Sequence, residues 1–148
     1  MEEKSLLLKW AALLQQRSWS FLVNESKHLL VLNVSKDGVS HPIKVQFKED
    51  AHIVISTLSY QQKTPPEYRD QMIKLINRIN LEISIGGFEM DRRDGEVRFR
   101  HSVDVESISY TDVFVQNFMN TIALTGCKYY HSILSAMNGN IEEAFNSL

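Results

Sequence analysis

The stretch Ile83–Val105, ISIGGFEMDRRDGEVRFRHSVDV, decides the fold. Asp94-Gly95 marks a tight turn, because glycine reaches the positive φ that such turns demand. After the turn, Val97, Phe99, Val103 and Val105 alternate with Glu96, Arg98, Arg100, Ser102 and Asp104, the period of a half-buried strand. Before it, Ile83 and Ile85 share one parity and Phe88 and Met90 the other. A register change across Gly86-Gly87 brings all four to one face, as a β-bulge does. The stretch is therefore an antiparallel hairpin with one apolar face.

Working back from the hairpin, Thr64-Pro65-Pro66-Glu67 reads as a helix start. It has Thr at the N-cap, Pro at the first helical position and Glu three residues after the cap. The helix buries Tyr68, Met72, Leu75, Ile76 and Ile79 and ends near Asn80. Upstream, Ile53-Val54-Ile55 opens a strand running toward Tyr60, with Glu49-Asp50 turning the chain before it. Ile43, Val45 and Phe47 alternate with Lys44, Gln46 and Lys48 as a half-buried strand, and Lys36-Asp37-Gly38 is a turn. His28 to Val34 is almost continuously apolar, which predicts a central strand covered on both faces. Trp19, Phe21 and Val23 alternate with serines as a further strand that ends in Asn24-Glu25-Ser26-Lys27. Leu6 to Gln16 is an amphipathic helix, with Leu6, Trp10, Leu13 and Leu14 on one face.

Forward of the hairpin, Thr111 to Met137 is helical throughout. Its apolar residues fill an arc of roughly 200°, about twice the ordinary stripe. At the helical rise such a segment is about 40 Å long. Either Gly126 breaks it or it is covered on two sides. Asn138-Gly139 caps it, and Asn140 to Leu148 forms a short terminal helix. No linker or low-complexity run interrupts the chain. The expectation is one α+β domain over residues 1–148, an antiparallel sheet flanked by helices.

Composition excludes several function classes. The chain has 148 residues, 16 basic against 18 acidic, with a formal net charge of −2. That balance is wrong for a dedicated nucleic-acid binder. The single cysteine, Cys127, leaves no internal disulfide framework and suits a reducing compartment. No apolar run approaches the ~20 residues that span a bilayer. Glu2, Glu3 and Lys9 make the N-terminus a poor secretory signal, so the two sequons at Asn24 and Asn33 read as chance. A cytoplasmic protein with no nucleic-acid or membrane partner is expected.

Chemical constellations are sparse. Cys127 and His131 are four apart on the expected helix, yet two ligands do not make a zinc site. The thiol reads as filling a core edge, and neither metal nor cofactor is expected. His101 shares parity with Val97, Phe99 and Val103, which makes it a core histidine bonded to a carbonyl or hydroxyl, or else a ligand-binding imidazole. Gly86-Gly87 matches no phosphate-binding loop. Arg98 and Arg100 share the outward face of their strand and can clamp an acidic partner. Tyr129 and Tyr130 read as core and interface anchors, because no basic groove accompanies them. No paired carboxylates or triad suggest catalysis.

Two segments carry a family resemblance. "IGGFEMDRRDGEVRFRHSV" is similar to the hairpin of the YbjN family, within the type III secretion chaperone-like group. "CKYYHSILSAMNGNIEEAF" resembles the end of that family's long helix and the short segment after it. The helix–strands–helix order of Leu6 to Ile79 also suits its α-β-β-β-α-β-β-α plan, although four early strands are read here where the plan has three. The resemblance implies an α+β fold, a tendency to dimerise, and a protein-binding or regulatory role without established catalysis. It transfers no catalytic residue.

Together these readings predict a non-enzymatic chaperone-like or regulatory module that holds a protein partner or client. The alternative is a small-ligand sensor with a pocket between sheet and long helix, where His101 and Tyr129 supply polar contacts. The wide apolar arc predicts a homodimer anchored by Tyr129, Tyr130 and Leu134.

Overall fold

The computed structural model describes residues 5–148. The first helix, α1 (Leu6–Gln16), precedes four strands: β1 (Leu22–Asn24), β2 (Leu29–Lys36), β3 (Val39–Lys48) and β4 (Ile53–Lys63). Then come α2 (Arg69–Asn80), β5 (Gly87–Met90) and β6 (Glu96–Asp104). Three helices close the described chain: α3 (Asp112–Lys128), α4 (Tyr130–Met137) and α5 (Ile141–Asn146). The six strands form one antiparallel sheet in the order β1-β2-β3-β4-β6-β5. The expected α+β architecture and the four early strands are both present.

Among the described residues, only one face of the sheet is roofed. Leu30, Leu32, Ile43, Val45, Phe47, Val54, Leu58, Tyr60, Phe88, Val97 and Phe99 point to that side and are buried. α3 lies over β4 and β6, α4 over β4, and α2 against β5. α1 packs on both α3 and β2. Trp10, fully buried, meets Phe118, Phe47 and Tyr110 at ring distances of 5.1–5.9 Å and gives its indole N–H to the Tyr110 hydroxyl at 3.0 Å. Burying a ring of that size contributes about 3 kcal/mol. The wide apolar arc is thus covered internally over α3, by the sheet below and α1 beside it.

Several local expectations shift. β2 is not a central strand covered on both faces: it lies second from an edge, and Asn33 and Ser35 face solvent. The first strand begins only at Leu22, because α1 ends in a Schellman motif just before it. Ser18 takes φ +62°, and the N–H of Trp19 reaches back to Leu14 O at 3.1 Å. Thr64 is not a cap. Pro65 occupies that position, a 3-10 turn over Pro66–Tyr68 leads into α2, and the buried Thr64 hydroxyl has no partner among the described residues.

The expected bulge at Gly86-Gly87 is absent. β5 starts at Gly87, Ile85 is exposed, and Gly86 sits at φ +74° with the Phe99 ring where a Cβ would go. The sheet's register shift lies instead between β4 and β6, at Ser59–Lys63. The long helix breaks at Tyr129 (φ −99°, ψ 5°), three residues after Gly126, which itself packs in a continuous helix against Leu58.

Candidate functional site

The face of the sheet away from the helices is open, and its chemistry changes from one end to the other. One cross-strand row runs Leu22, Val31, Lys44, Thr57, Arg100, Gly87. Paired Cα positions share a face, so the side chains from Leu22 to Arg100 stand side by side and the row ends at the bare Gly87. At the β1 end, Leu22 (73% exposed), Phe21, Val31 and Pro42 wall a shallow groove of about 730 Å³ that continues to Asn33, Lys44, Thr57 and Ser59. Leu22 and Val31 are apolar residues on the solvent side, the sequence signal that an alternation-only reading passes over.

The β6 end is charged. Arg98 donates to Glu89 at 2.5 Å and lies 3.8 Å from Glu96. Glu89 holds the Arg98 guanidinium above its ordinary pKa, with burial working against it and Glu96 adding to it. Arg100 is 3.6 Å from the same Glu89. Both arginines face outward as expected, but they share an internal carboxylate that any acidic partner must displace. Beyond them, Arg93 bonds Asp91 and holds its carboxyl well below the usual range.

The two edges of the sheet differ. At the β5 edge the Asn80 side chain, from the end of α2, accepts the Phe88 N–H at 2.9 Å and donates to the Phe88 carbonyl at 3.0 Å. One amide therefore imitates the next strand at Phe88 and covers that part of the edge. No comparable bond reaches β1 among the described residues. Its backbone alternation follows from β2: the His28 carbonyl accepts Phe47 N–H at 3.0 Å, so Leu30 bonds toward β3 while Leu29 and Val31 bond toward β1. Leu22 and Asn24 then bond inward, and the N–H and C=O of Val23 point out of the sheet.

The remaining candidates lie under the roof. His101 is half-buried and stacks on Phe118 at 4.4 Å, with its pKa lowered by burial. Its ring nitrogens bond to no described residue, so stacking takes the place of the expected carbonyl or hydroxyl. Tyr129 packs on Phe88 at 5.8 Å and borders a groove with Ile83, Ile85 and Lys128. His101 borders another groove with Gly86, Gly87 and Arg100. The two residues expected to share a ligand pocket thus border two different grooves.

Tyr130 meets His41 at 4.7 Å and Tyr60 at 5.1 Å, and it, Tyr129 and Leu134 are partly buried against the core. Tyr60 gives its hydroxyl to Gly126 O at 2.6 Å, and burial, then Cys127 and Tyr130, push it well above an ordinary phenol. Burial also raises the Cys127 thiol and lowers His41, with His131 adding to the latter. The helix break falls between Cys127 and His131, and His131 turns to Asp37 at 3.9 Å. Among the described residues no three His, Cys, Asp or Glu side chains converge, and no helix is long and apolar enough to cross a membrane.

The solved structures similar to this chain include the crystal structure of YbjN from E. coli, titled "a putative transcription regulator". It matches with a TM-score of 0.60 and 12% identity over 84% of this chain and 91% of that one. The HopA1-SchA chaperone–effector complex matches with a TM-score of 0.50 and 13% identity, over 93% and 94% of the two chains. At such identities the likeness is one of fold. Comparison with the curated proteins gives no sequence match. The YbjN family, described as "Putative bacterial sensory transduction regulator", matches residues 11–135. With that match covering most of its length, the chain belongs to the YbjN family.

Proposed function

We propose that this protein is a non-enzymatic interaction module that holds a protein partner on the open face of its sheet. The observation that carries the reading is the one-sided roof. Six strands present an uncovered surface that passes from the apolar groove at Leu22, Val31 and Pro42, through Lys44 and Thr57, to Arg98 and Arg100. A partner segment with apolar side chains at one end and carboxylates at the other complements it, and Arg100 is the arginine less committed to Glu89. The likeness to a chaperone in complex with its effector supports a protein as the occupant, and the family description supports a regulatory setting. Assembly as a homodimer belongs to the same reading, as does a place in the bacterial cytoplasm, where Cys127 stays reduced.

The test uses a photo-crosslinking residue at Asn33, exposed on the open face, and another at Ile73 on α2. The expected result is one abundant protein crosslinked from position 33 and lost in a Leu22→Ser/Val31→Ser variant that melts like the parent. Crosslinks from position 73 only, or a catch indifferent to the double substitution, overturn the reading.

A further inference from the structure

Beside the outward-facing backbone of Val23 lies a second uncovered feature. On α1, Leu8, Ala11, Ala12 and Gln15 follow at i, i+3, i+4 and i+7, a single helical stripe. Leu8 is 39% exposed, and Ala12 and Gln15 face solvent, while the helix buries Leu7, Trp10 and Leu14 on its other side. This stripe, with Trp19 and Val23, walls a groove of about 600 Å³. Val23 pairs with Leu30, whose side chain lies on the helix-covered face, so edge and stripe open to the same side of the molecule.

We propose that a second copy of this chain docks here, with β1 pairing antiparallel to β1 and α1 packing on α1 across a two-fold axis. The dimer itself rests on the reading above; the surface it uses does not. Three properties select a copy over another occupant. The free groups of Val23 are one donor and one acceptor, and an antiparallel ladder centred on Val23 matches each to its counterpart. Among the described residues no charged side chain lines the groove, so nothing described within it repels its own copy. Finally, β1 has only three residues, too short a template for a linear peptide held by main-chain bonds alone. A folded copy brings its own helix stripe and adds the missing apolar area.

Light scattering and sedimentation of the intact chain test it, with Val23→Pro, Ala12→Glu and Leu124→Glu as variants. Proline at 23 removes only the outward N–H and is tolerated on an edge strand. The parent should have twice the 17.1 kDa chain mass. Val23→Pro and Ala12→Glu should each weaken the dimer by roughly tenfold or more, while Leu124→Glu, exposed on α3, leaves it intact. If Val23→Pro unfolds, Ala12→Glu decides. A dimer that survives Ala12→Glu, or one lost in Leu124→Glu instead, overturns this interface and leaves the dimer standing. A parent that stays at one chain mass across a tenfold concentration range overturns both, with no bearing on crosslinking at Asn33.

Discussion

The β5 edge and the β1 edge terminate the same sheet in opposite ways. β5 is short, flanked by α2, and capped at Phe88 by the paired hydrogen bonds of Asn80. β1 is shorter still and carries an exposed Leu22 and Val23 with no side chain folded over it among the described residues. A buried polar backbone needs partners wherever it is, but an exposed one can wait for them in water. The difference teaches where this sheet is finished and where it remains available.

The largest effect should come from breaking the finished side. Gly95, at φ +83°, forms the β5–β6 turn, and a Cβ there would stand 2.1 Å from the Thr64 carbonyl oxygen. Because that neighbour is backbone, Gly95→Ala should cost about 3 kcal/mol or more, read as a lower urea midpoint; a loss under ~1 kcal/mol would show that the turn yields freely. Next is the seal itself. Asn80→Ala leaves both Phe88 groups without their partner and should cost about 2 kcal/mol. It should also add a concentration-dependent association that Val23→Pro does not suppress; an unchanged melting temperature would refute the sealing role.

A smaller effect distinguishes the two halves by pH. His41, on β3, and His101, on β6, both have folded-state pKa values lowered by burial from the ordinary 6.5. Their contribution is therefore present above about 6.5 and is lost as pH falls toward the lowered folded values, where only the unfolded chain binds the proton. His41→Gln and His101→Gln should each flatten the decline of the urea midpoint between pH 7 and 5. A slope identical to the parent's in both variants would count against the burial argument. The smallest effect on stability belongs to the open side: Leu22→Ser should stay within about 0.5 kcal/mol of the parent and still reduce partner crosslinking.

Legibility in the sequence followed the same division. The hairpin at Asp94-Gly95, the buried residues of α2 and the Asn138-Gly139 cap were readable, because each is a local pattern whose physical cause lies within a few residues. The failures came where a distant group decides. Position 86 takes glycine because its φ is +74° and Phe99 and the Arg100 carbonyl occupy the space of a Cβ, not because a bulge is needed. Thr64 is held by Gly95, 31 residues on, through a 2.8 Å backbone bond, and Pro65 stands at the N-cap in its place. The helix breaks at Tyr129, whose ring packs on Phe88 rather than continuing the α3 face. Asn80 gave no signal, since its role needs β5 beside it. In the candidate site, Arg98 and Arg100 were found by parity, but the carboxylate they share on Glu89 and the groove at Leu22 needed the sheet order.

The first helix carries a consequence for the order of assembly. Its N-terminus is held by Glu49, whose carboxylate accepts the Leu6 N–H at 2.7 Å and the Leu7 N–H at 3.3 Å. Trp10 waits for Tyr110, and Arg17 for Asp112 at 2.7 Å. During synthesis the helix is made before any of these partners, and Tyr110 and Asp112 come long after it. The Trp10–Tyr110 bond spans 100 residues, an interval of about 5–20 s at ordinary elongation rates. The β2–β3–β4 meander pairs only with its sequence neighbours and can close in that interval, as low contact order favours. The amphipathic helix is therefore among the first parts made, and although β2 and Phe47 can cover part of its buried face early, the Trp10 pocket is completed only when α3 arrives.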